Sequence, residues 1–232
     1  GGGHGDYHLV VFAPASVQES IDIMSVAFDT ADKYQCPVMI VADGMICQMM
    51  EPVELPEMKE YKVDLEKKPW AANGHGFSKK SGRSIINSMY INTEDLTVHN
   101  ENLQATYREI EKNEVRFEAY NMENAEIVVT AFGTVARIAK SAIDDLKEEG
   151  FNVGLFRPIT LWPFPYKELH DAGMAPGVKA VLDVELNAGQ MYEDVRLAMN
   201  GETKVELLSR LGSQMPTPEE IKEKLLSMRE VL

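Results

Sequence analysis

Apolar runs and helix-like stripes alternate along the first forty residues. Two short segments, 9–13 and 38–41, are apolar at every position, which is typical of parallel strands buried on both faces. Between them, apolar side chains recur at helical spacing, at Val17, Ile21, Met24, Phe28 and Ala31. The S-x-x-E spacing of Ser16 and Glu19 predicts a capping box at the start of this helix. The pattern therefore predicts two buried strands joined by a right-handed crossover helix, which Pro37 ends.

Strand and helix patterns alternate again in the second half of the chain. Strands are predicted over 127–131, 153–156, 178–184 and 205–208. Helices are predicted after Gly133, over 166–172 and 189–199, and after the capping residue Thr217. The proline-rich segment RPITLWPFP, residues 157–165, is predicted as a loop. This alternation predicts an open α/β domain with a doubly wound parallel sheet.

The middle of the chain has a different character. Residues 51–95 are rich in Glu, Lys, Pro, Gly, Ser and Asn, and we predict a long excursion there. A charged connector helix is predicted over 95–120, with a narrow apolar stripe at Leu103, Tyr107, Ile110 and Phe117. We therefore predict two α/β domains, over residues 1–122 and 123–232.

Charge and cysteine content narrow the classes of function. The formal net charge of −14 argues against binding to nucleic acid or to anionic membranes. No apolar run approaches the roughly eighteen residues that span a bilayer, and nothing at the start resembles a signal peptide, so we expect a cytoplasmic protein. The two cysteines, Cys36 and Cys47, form neither a metal-ligand pattern nor a disulfide framework. Because a standard iron–sulfur cluster needs about four thiolates, this chain alone cannot hold one, and we predict no metal site.

Two clusters of residues are candidates for binding. His4 and Asp6 flank Gly5 in a glycine run just before a predicted strand, where backbone can approach a ligand closely. Glu185 ends another predicted strand, and Asn187, Gly189 and Gln190 follow it at the start of a helix, where free N–H groups could hold an anion or a partner's carboxylate. The alternative for this second cluster is a helix cap and a domain-packing turn.

Five stretches of the sequence resemble one family. They are GGGHGDYHLVVFAPASVQE, CPVMIVADGMICQMMEPVE, NEVRFEAYNMENAEIVVTAFGTVARIAKSAI, GFNVGLFRPITLWPFP and GQMYEDVRLAMNG. Together they resemble the α subunit of 2-oxoacid:ferredoxin oxidoreductases, most closely the 2-oxoisovalerate (3-methyl-2-oxobutanoate) enzyme. The resemblance implies that residues 1–122 are the second half of a pyrimidine-type thiamine-diphosphate domain, with its first half outside this sequence. It implies a transketolase C-terminal-like domain over 123–232.

The resemblance also implies a reaction and its cofactors. In that family a 2-oxoacid adds to thiamine diphosphate, loses carbon dioxide and passes electrons singly to [4Fe–4S] clusters, and the acyl group ends on coenzyme A. Thiamine diphosphate and Mg²⁺ are then expected in the assembled enzyme, with clusters on partner subunits and none of these groups bound tightly by this chain alone. The implied partners are a β subunit that binds the diphosphate, ferredoxin-like or γ subunits, and ferredoxin.

The resemblance assigns no catalytic residue to this sequence, because the family's catalytic glutamate belongs to the first half of the pyrimidine domain. By analogy with related enzymes, His4, Gly5 and Asp6 border the substrate pocket, and His4 is a candidate for hydrogen bonding the 2-oxo or carboxylate group. Three alternatives stay open: a 2-oxoglutarate or pyruvate enzyme of the same family, a non-catalytic assembly module, and a conventional oxoacid dehydrogenase β chain or transketolase. The RPITLWPFP segment argues against the last.

Overall fold

The computed structural model describes residues 2–57, 68–72, 86–212 and 214–232. The chain forms two compact units, one of Gly1–Glu54 with Tyr107–Leu232 and the other of Leu55–Thr106. In the first unit, β1 (Val10–Phe12), α1 (Val17–Tyr34) and β2 (Val38–Ile40) form the predicted strand–helix–strand. The two strands pair in parallel, with Val11 opposite Met39. Helix α1 ends at Gln35, which adopts the left-handed conformation with φ of 50°.

The connector helix is shorter than predicted. Helix α2 spans Thr93–Asn113, and the chain then forms a strand, β3 (Phe117–Tyr120), instead of continuing the helix to residue 120. The prediction for Phe117 was therefore wrong. Its ring stacks on Phe156 at a centroid distance of 4.9 Å, so a tertiary contact fixes the extended backbone where the local pattern favoured a helix.

The second sheet has the predicted doubly wound architecture. Besides β3, this sheet contains β4 (Ile127–Thr130), β5 (Val153–Pro158), β7 (Ala180–Glu185) and β8 (Lys204–Ser209). The strand order is β3-β5-β4-β7-β8, and every neighbouring pair is parallel except β3 with β5. The helices are α3 (Gly133–Glu148), α4 (Tyr166–Gly173), α5 (Gln190–Met199) and α6 (Pro218–Val231).

Each face of this sheet is covered by a separate apolar cluster. Helices α3 and α6 contribute Ala139, Ile143 and Leu225 to one cluster. Helices α4 and α5 contribute Leu169 and Val195 to the other. All five side chains are fully buried, which explains why the strands read as continuous apolar runs. The predicted capping box of α6 is present, with Thr217 and Glu220 each accepting from the other's backbone N–H.

The segment RPITLWPFP was predicted to be a loop, but part of it forms strands. Arg157 and Pro158 end β5, and Thr160–Trp162 forms β6, which pairs antiparallel with β1 in the first sheet. Each sheet thus takes one strand from across the predicted boundary at residue 122, since β3 lies in the second sheet and β6 in the first. The boundary itself stays a prediction.

Two predictions about burial in the first sheet were wrong. Strand β2 is half-exposed because, among the described residues, it pairs only with β1 and forms the edge of the sheet. Helix α1 buries Ile23, Ala27 and Thr30, not the stripe that contains Met24 and Phe28. The helix carries apolar residues on both sides, and its buried side is the one with the smaller residues, which allow close packing.

A buried arginine joins elements of the two sheets. The guanidinium of Arg157 donates to both carboxylate oxygens of Glu19 at 2.8 and 2.9 Å, and its Nε donates to Glu118 at 2.7 Å. Glu19 in turn accepts from the backbone N–H of Ala15 at 2.7 Å, so only half of the capping box predicted with Ser16 forms. Residue Arg157 therefore fixes α1 against β3 and β5.

The second unit contains the predicted excursion only in part. Residues 58–67 and 73–85 lie outside the described residues, so the excursion over 51–95 stays a prediction. Within the described part of this unit, Tyr90 stacks on His99 at a centroid distance of 4.7 Å, and the Tyr90 hydroxyl lies 3.1 Å from Nδ1 of His99. This contact ties the segment before α2 to the first turns of that helix.

Candidate functional site

The chain reverses its direction of travel across the second sheet at β4. In the sheet, β4 lies between β5 and β7. Helix α3 connects β4 to β5, and after β5 the chain returns through α4 to β7, on the other side of β4. In open α/β sheets ligands bind at the carboxyl ends of the strands, in the crevice formed at such a reversal. The ends of β4 and β7, at Thr130 and Glu185, therefore define the candidate site.

The predicted cluster at the end of β7 is assembled around Glu185. The carboxylate of this buried residue accepts from the backbone N–H of Met191 and Tyr192, at 3.0 and 2.9 Å, and from the side-chain amide of Asn187 at 2.7 Å. The side-chain oxygen of Asn187, Oδ1, accepts from the backbone N–H of Gly189 and Gln190, both at 2.8 Å. An external anion would have to displace these acceptors. The geometry thus favours the helix-cap alternative, and anion binding stays a prediction.

A second carboxyl group, that of Asp183, lies two residues before Glu185 on the same strand. Asp183 has no exposed surface, and the Thr130 hydroxyl donates to its Oδ1 at 2.7 Å. Its Oδ2 has no hydrogen-bond partner among the described residues. Burial first, and then the adjacent Glu185 carboxylate, raise the pKa of Asp183 well above its usual value. This environment favours the protonated form of Asp183.

A third carboxyl group comes from α5. The Tyr166 hydroxyl, at the start of α4, donates to the carboxylate of Asp194. Burial raises the pKa of Asp194, and burial together with the Asp194 charge raises the pKa of Tyr166. Asp183, Glu185 and Asp194 thus place acidic groups along the α4/α5 side of the second sheet.

Two cavities open at these strand ends. The smaller also uses residues of the first sheet, and the larger uses the segment that follows β2. The smaller, of about 240 Å³, has a polar side formed by Glu185, Asn187, Gln190 and Asp194 and an apolar side that includes Val11, Met39, Phe132 and Phe164. The larger, of about 460 Å³, is lined by Asp43, Gly44, Met45, Gln48, Leu186, Gly212, Gln214 and Met215. The candidate site therefore lies where the two sheets meet.

Asp43 connects the loop after β2 to the start of α3. Its carboxylate accepts from the backbone N–H and the hydroxyl of Thr134, both at 2.9 Å, and from the backbone N–H of Met45 and Ile46, both at 3.0 Å. Although burial acts in the opposite direction, these hydrogen bonds hold the pKa of Asp43 below its usual value. The negative charge also lies at the positive end of the α3 dipole.

The glycine-rich loop before β1 reaches the smaller cavity only through Gly2 among its described residues. His4, Gly5 and Asp6 are exposed. The structure does not bring His4, Gly5 and Asp6 together with Glu185, and their role at a substrate pocket stays a prediction.

Sequence reasoning missed Asp183 and Asp194 in this region, and it missed His8, which lines neither cavity. Asp183 and Asp194 belong to the carboxyl cluster, and His8 stacks on Trp162 at 4.6 Å with its Nδ1 buried and unpartnered among the described residues. Burial lowers the pKa of His8. The one available signal was Asp183 itself, a single charged residue inside the otherwise apolar run of a predicted buried strand.

The described residues offer a poor fit to a diphosphate or a metal ion on their own. Among them, no group of three or more His, Cys, Asp or Glu side chains is arranged to hold a metal. The described lining of both cavities contains carboxylates and neither lysine nor arginine, so its charge would repel a diphosphate. Cys36 is buried and Cys47 is exposed, both as free thiols. In the part of the chain that is described, no helix combines the length and the apolar character needed to traverse a bilayer.

Comparisons with protein families divide the chain into two matching regions. Residues 4–119 match the family described as pyruvate flavodoxin/ferredoxin oxidoreductase, thiamine-diphosphate-binding. Residues 125–221 match core domain II of pyruvate:ferredoxin oxidoreductase. The fold of a solved structure, a 2-oxoglutarate:ferredoxin oxidoreductase from Magnetococcus marinus, is similar over 97% of this chain and 43% of that chain, with a TM-score of 0.77 at 20% identity.

Curated relatives are subunits of 2-oxoacid oxidoreductases. Ketoisovalerate oxidoreductase subunit VorB of Methanothermobacter marburgensis is 41% identical over 232 residues, which are 100% of this chain and 62% of the relative. The 2-oxoglutarate synthase subunit KorA of Methanocaldococcus jannaschii is 31% identical over 97% of this chain and 65% of the relative. The chain thus spans somewhat less than two thirds of the length of these relatives. With both family models matched in order along it, the chain belongs to the 2-oxoacid:ferredoxin oxidoreductase family.

Proposed function

We propose that this chain is part of the α-type subunit of an enzyme that oxidatively decarboxylates 2-oxoisovalerate to its acyl-CoA and passes the electrons to ferredoxin. The observation that carries the proposal is the 41% identity to a ketoisovalerate oxidoreductase subunit across all 232 residues. Identity falls to 31% for a 2-oxoglutarate synthase subunit and to 23% for the pyruvate synthase subunit PorA of Pyrococcus abyssi. A branched-chain 2-oxoacid is therefore the proposed substrate.

The proposed enzyme needs groups and partners that this chain does not supply. Thiamine diphosphate, with Mg²⁺, would provide the electron sink for decarboxylation, and coenzyme A would accept the acyl group. The two free cysteines are too few for a standard [4Fe–4S] cluster, so the clusters would lie on ferredoxin-like or γ subunits. The acidic cavities favour a diphosphate site on another polypeptide, the β subunit. The cytoplasm is the proposed location.

Residues His4, Gly5 and Asp6 are the proposed contribution of this chain to the substrate pocket. They are exposed on a glycine-rich loop, where a substrate held by the rest of the enzyme could reach them. His4 would hydrogen-bond the 2-oxo or carboxylate oxygen of the substrate.

The test of this role is His4→Ala in the assembled enzyme. We expect kcat/KM for 2-oxoisovalerate to fall by about tenfold or more, since one hydrogen bond to a charged group contributes about 1.5–3 kcal/mol. His170→Ala, a partly exposed histidine on α4, is the matched control and should leave kcat/KM unchanged. An unchanged kcat/KM for His4→Ala would remove His4 from the pocket.

The test of the substrate is a comparison of three oxoacids on the assembled enzyme. With coenzyme A and ferredoxin present, kcat/KM should be highest for 2-oxoisovalerate and lower for 2-oxoglutarate and pyruvate. A preference for either of the other two acids would retain the family and replace the substrate.

A further inference from the structure

The end of β7 carries buried acidic groups whose described partners include no cation. Among the described residues, the buried acids are Glu114, Asp183 and Glu185. Glu114 pairs with Lys33 at 2.8 Å and with Arg116 at 3.5 Å. In contrast, the described partners of Glu185 are three neutral N–H groups, and that of Asp183 is a hydroxyl group. Because a buried charge is costly without a counter-charge, the two acids on β7 differ from the usual pattern.

Asp194 adds a third carboxyl group of the same kind. It is half-buried, and its described partner is the Tyr166 hydroxyl. An ionised carboxylate can accept about four hydrogen bonds. Glu185 receives three and Asp194 receives one, so both can accept further N–H groups.

The second carboxylate oxygen of Asp183 points to the same chemistry independently. This atom, Oδ2, is buried and has no hydrogen-bond partner among the described residues, which is rare for a buried oxygen. Asp183 and Glu185 alternate on β7 and so share the α4/α5 face of the sheet. The two carboxylates that act on Asp183 electrostatically, those of Glu185 and Asp194, both line the smaller cavity. The carboxyl cluster at this cavity can therefore accept both positive charge and hydrogen bonds.

The lining of the smaller cavity restricts the kind of cation. Opposite Glu185 and Asp194 lies an apolar side that includes Val11, Phe132 and Phe164. The volume of about 240 Å³ is several times that of one water molecule, about 30 Å³. Among the described residues, no group of three metal-binding side chains is arranged around a single ion. The cavity thus suits an organic cation that combines N–H donors with an aliphatic stem.

We propose that the smaller cavity binds an alkylammonium or alkylguanidinium group, with its N–H donors at Glu185 and Asp194 and its stem against the apolar side. Hydrogen bonds from a cation to a carboxylate are about twice as strong as neutral ones. Stems of this kind lie along apolar surface while the charged head meets polar groups. Burial raises the pKa of Asp183 and of Asp194, and a bound cation would favour their ionised forms.

This inference goes beyond the proposed function. The oxoacid, the diphosphate and coenzyme A are anions, which the carboxyl cluster repels, so the cation is none of the reactants. The same cationic group occurs in free amines and in the lysine or arginine side chains of a partner protein, and the experiment separates these two sources.

The test titrates three four-carbon probes, n-butylammonium, butan-1-ol and butyrate, into the natural polypeptide that contains this sequence, separated from other subunits. The amide NMR signals of Met191 and Tyr192, which bond Glu185, should follow n-butylammonium with a dissociation constant of about 1 mM. Butanol and butyrate should bind at least about tenfold more weakly, since they lack the cation. Asp194→Asn should weaken n-butylammonium binding by about tenfold. Glu193→Gln, at an exposed neighbouring position of α5 that does not line this cavity, is the matched control and should change it less than about twofold.

Three results would overturn the inference. They are no binding of n-butylammonium, equal binding of the three probes, and unchanged affinity in Asp194→Asn. The comparison of probes uses the unmodified chain, so it decides the matter even if Asp194→Asn folds poorly. Oxoacid turnover is measured separately, and its failure or success leaves this result unaffected.

A repeat of the titration on the assembled enzyme identifies the source of the cation. Binding of n-butylammonium to both the separate polypeptide and the assembled enzyme would assign the cavity to a free amine. Binding to the separate polypeptide alone would assign it to a lysine or arginine side chain of a partner subunit.

Discussion

Asp183 and Glu185 are two residues apart on β7, so their side chains point to the same face of the sheet, but their surroundings differ. Glu185 receives hydrogen bonds from two backbone N–H groups and one side-chain amide at the start of α5. Asp183 receives one, from Thr130, and is fully buried. The donors compensate the negative charge at Glu185, whereas burial opposes it at Asp183.

This difference predicts a pH-dependent effect of Asp183→Asn. An acid whose folded pKa is raised stabilises the fold fully below its unfolded pKa, near 3.8, and that stability is lost as the pH rises through the folded pKa. Asparagine stays neutral at every pH. The stability of Asp183→Asn relative to the unmodified chain should therefore rise between pH 5 and pH 8, with a slope of up to about 1.4 kcal/mol per pH unit.

Urea unfolding at several pH values measures this slope. Asp22→Asn makes the same substitution at an exposed position on α1 and is the matched control. A stability difference for Asp183→Asn that is constant across the range would show that Asp183 is ionised in the fold as easily as in the unfolded chain.

At the scale of residues, the sequence predicted only those parts of the site that lie within one short segment. Glu185, Asn187, Gly189 and Gln190 lie within one short segment, and their mutual hydrogen bonds follow from a strand end that runs directly into a helix start. The contacts of Asp183 with Thr130 and of Asp194 with Tyr166 join residues 53 and 28 positions apart. Such pairs depend on strand order and helix packing, which local periodicity does not encode.

At the scale of elements, Arg157 connects three of them with one side chain. Its side chain is 7% exposed, and it pairs with Glu19 on α1 and Glu118 on β3, which are 23% and 32% exposed. Removal of one partner from a buried ion pair costs far more than loss of a surface pair. Loss of Arg157 would leave Glu118 its second ion pair, with Lys140.

Arg157→Met keeps much of the apolar stem and removes the charge, so it isolates this effect. We expect a loss of about 2 kcal/mol in the free energy of unfolding, at the low end for buried pairs because both carboxylates retain some exposure. Arg137→Met is the matched control, since Arg137 pairs with Glu51 but is 41% exposed, and its loss should be much smaller. Equal losses for the two variants in urea unfolding would show that burial does not set the strength of these pairs.

The elements missed from the sequence share a physical cause. Strands β3 and β6 contain four and three residues, and both pair antiparallel at an edge or across to the other sheet. Short strands carry little periodicity, and their pairing comes from tertiary contacts such as that of Phe117 with Phe156. The long helices α3 and α6 and the fully buried strands β4 and β7 were predictable because their patterns extend over whole elements.

At the scale of the molecule, β3 belongs to the second sheet and β6 to the first, so each crosses the predicted boundary at residue 122. The two cavities lie where the two sheets meet. The family resemblance in the sequence is confirmed by the matches over residues 4–119 and 125–221. The proposal that this chain works beside other subunits is supported by the acidic lining of the cavities and by the two free cysteines. Periodicity alone predicted an α/β fold, whereas the proposed chemistry depends on the resemblance.

The most direct test of the central claim is electron-acceptor choice by the assembled enzyme. With 2-oxoisovalerate and coenzyme A, ferredoxin should be reduced at a rate that depends on both substrates, and NAD should not be reduced. Reduction of NAD with no reduction of ferredoxin would contradict the account and favour a conventional oxoacid dehydrogenase. No oxoacid-dependent reduction of either acceptor would contradict it as well.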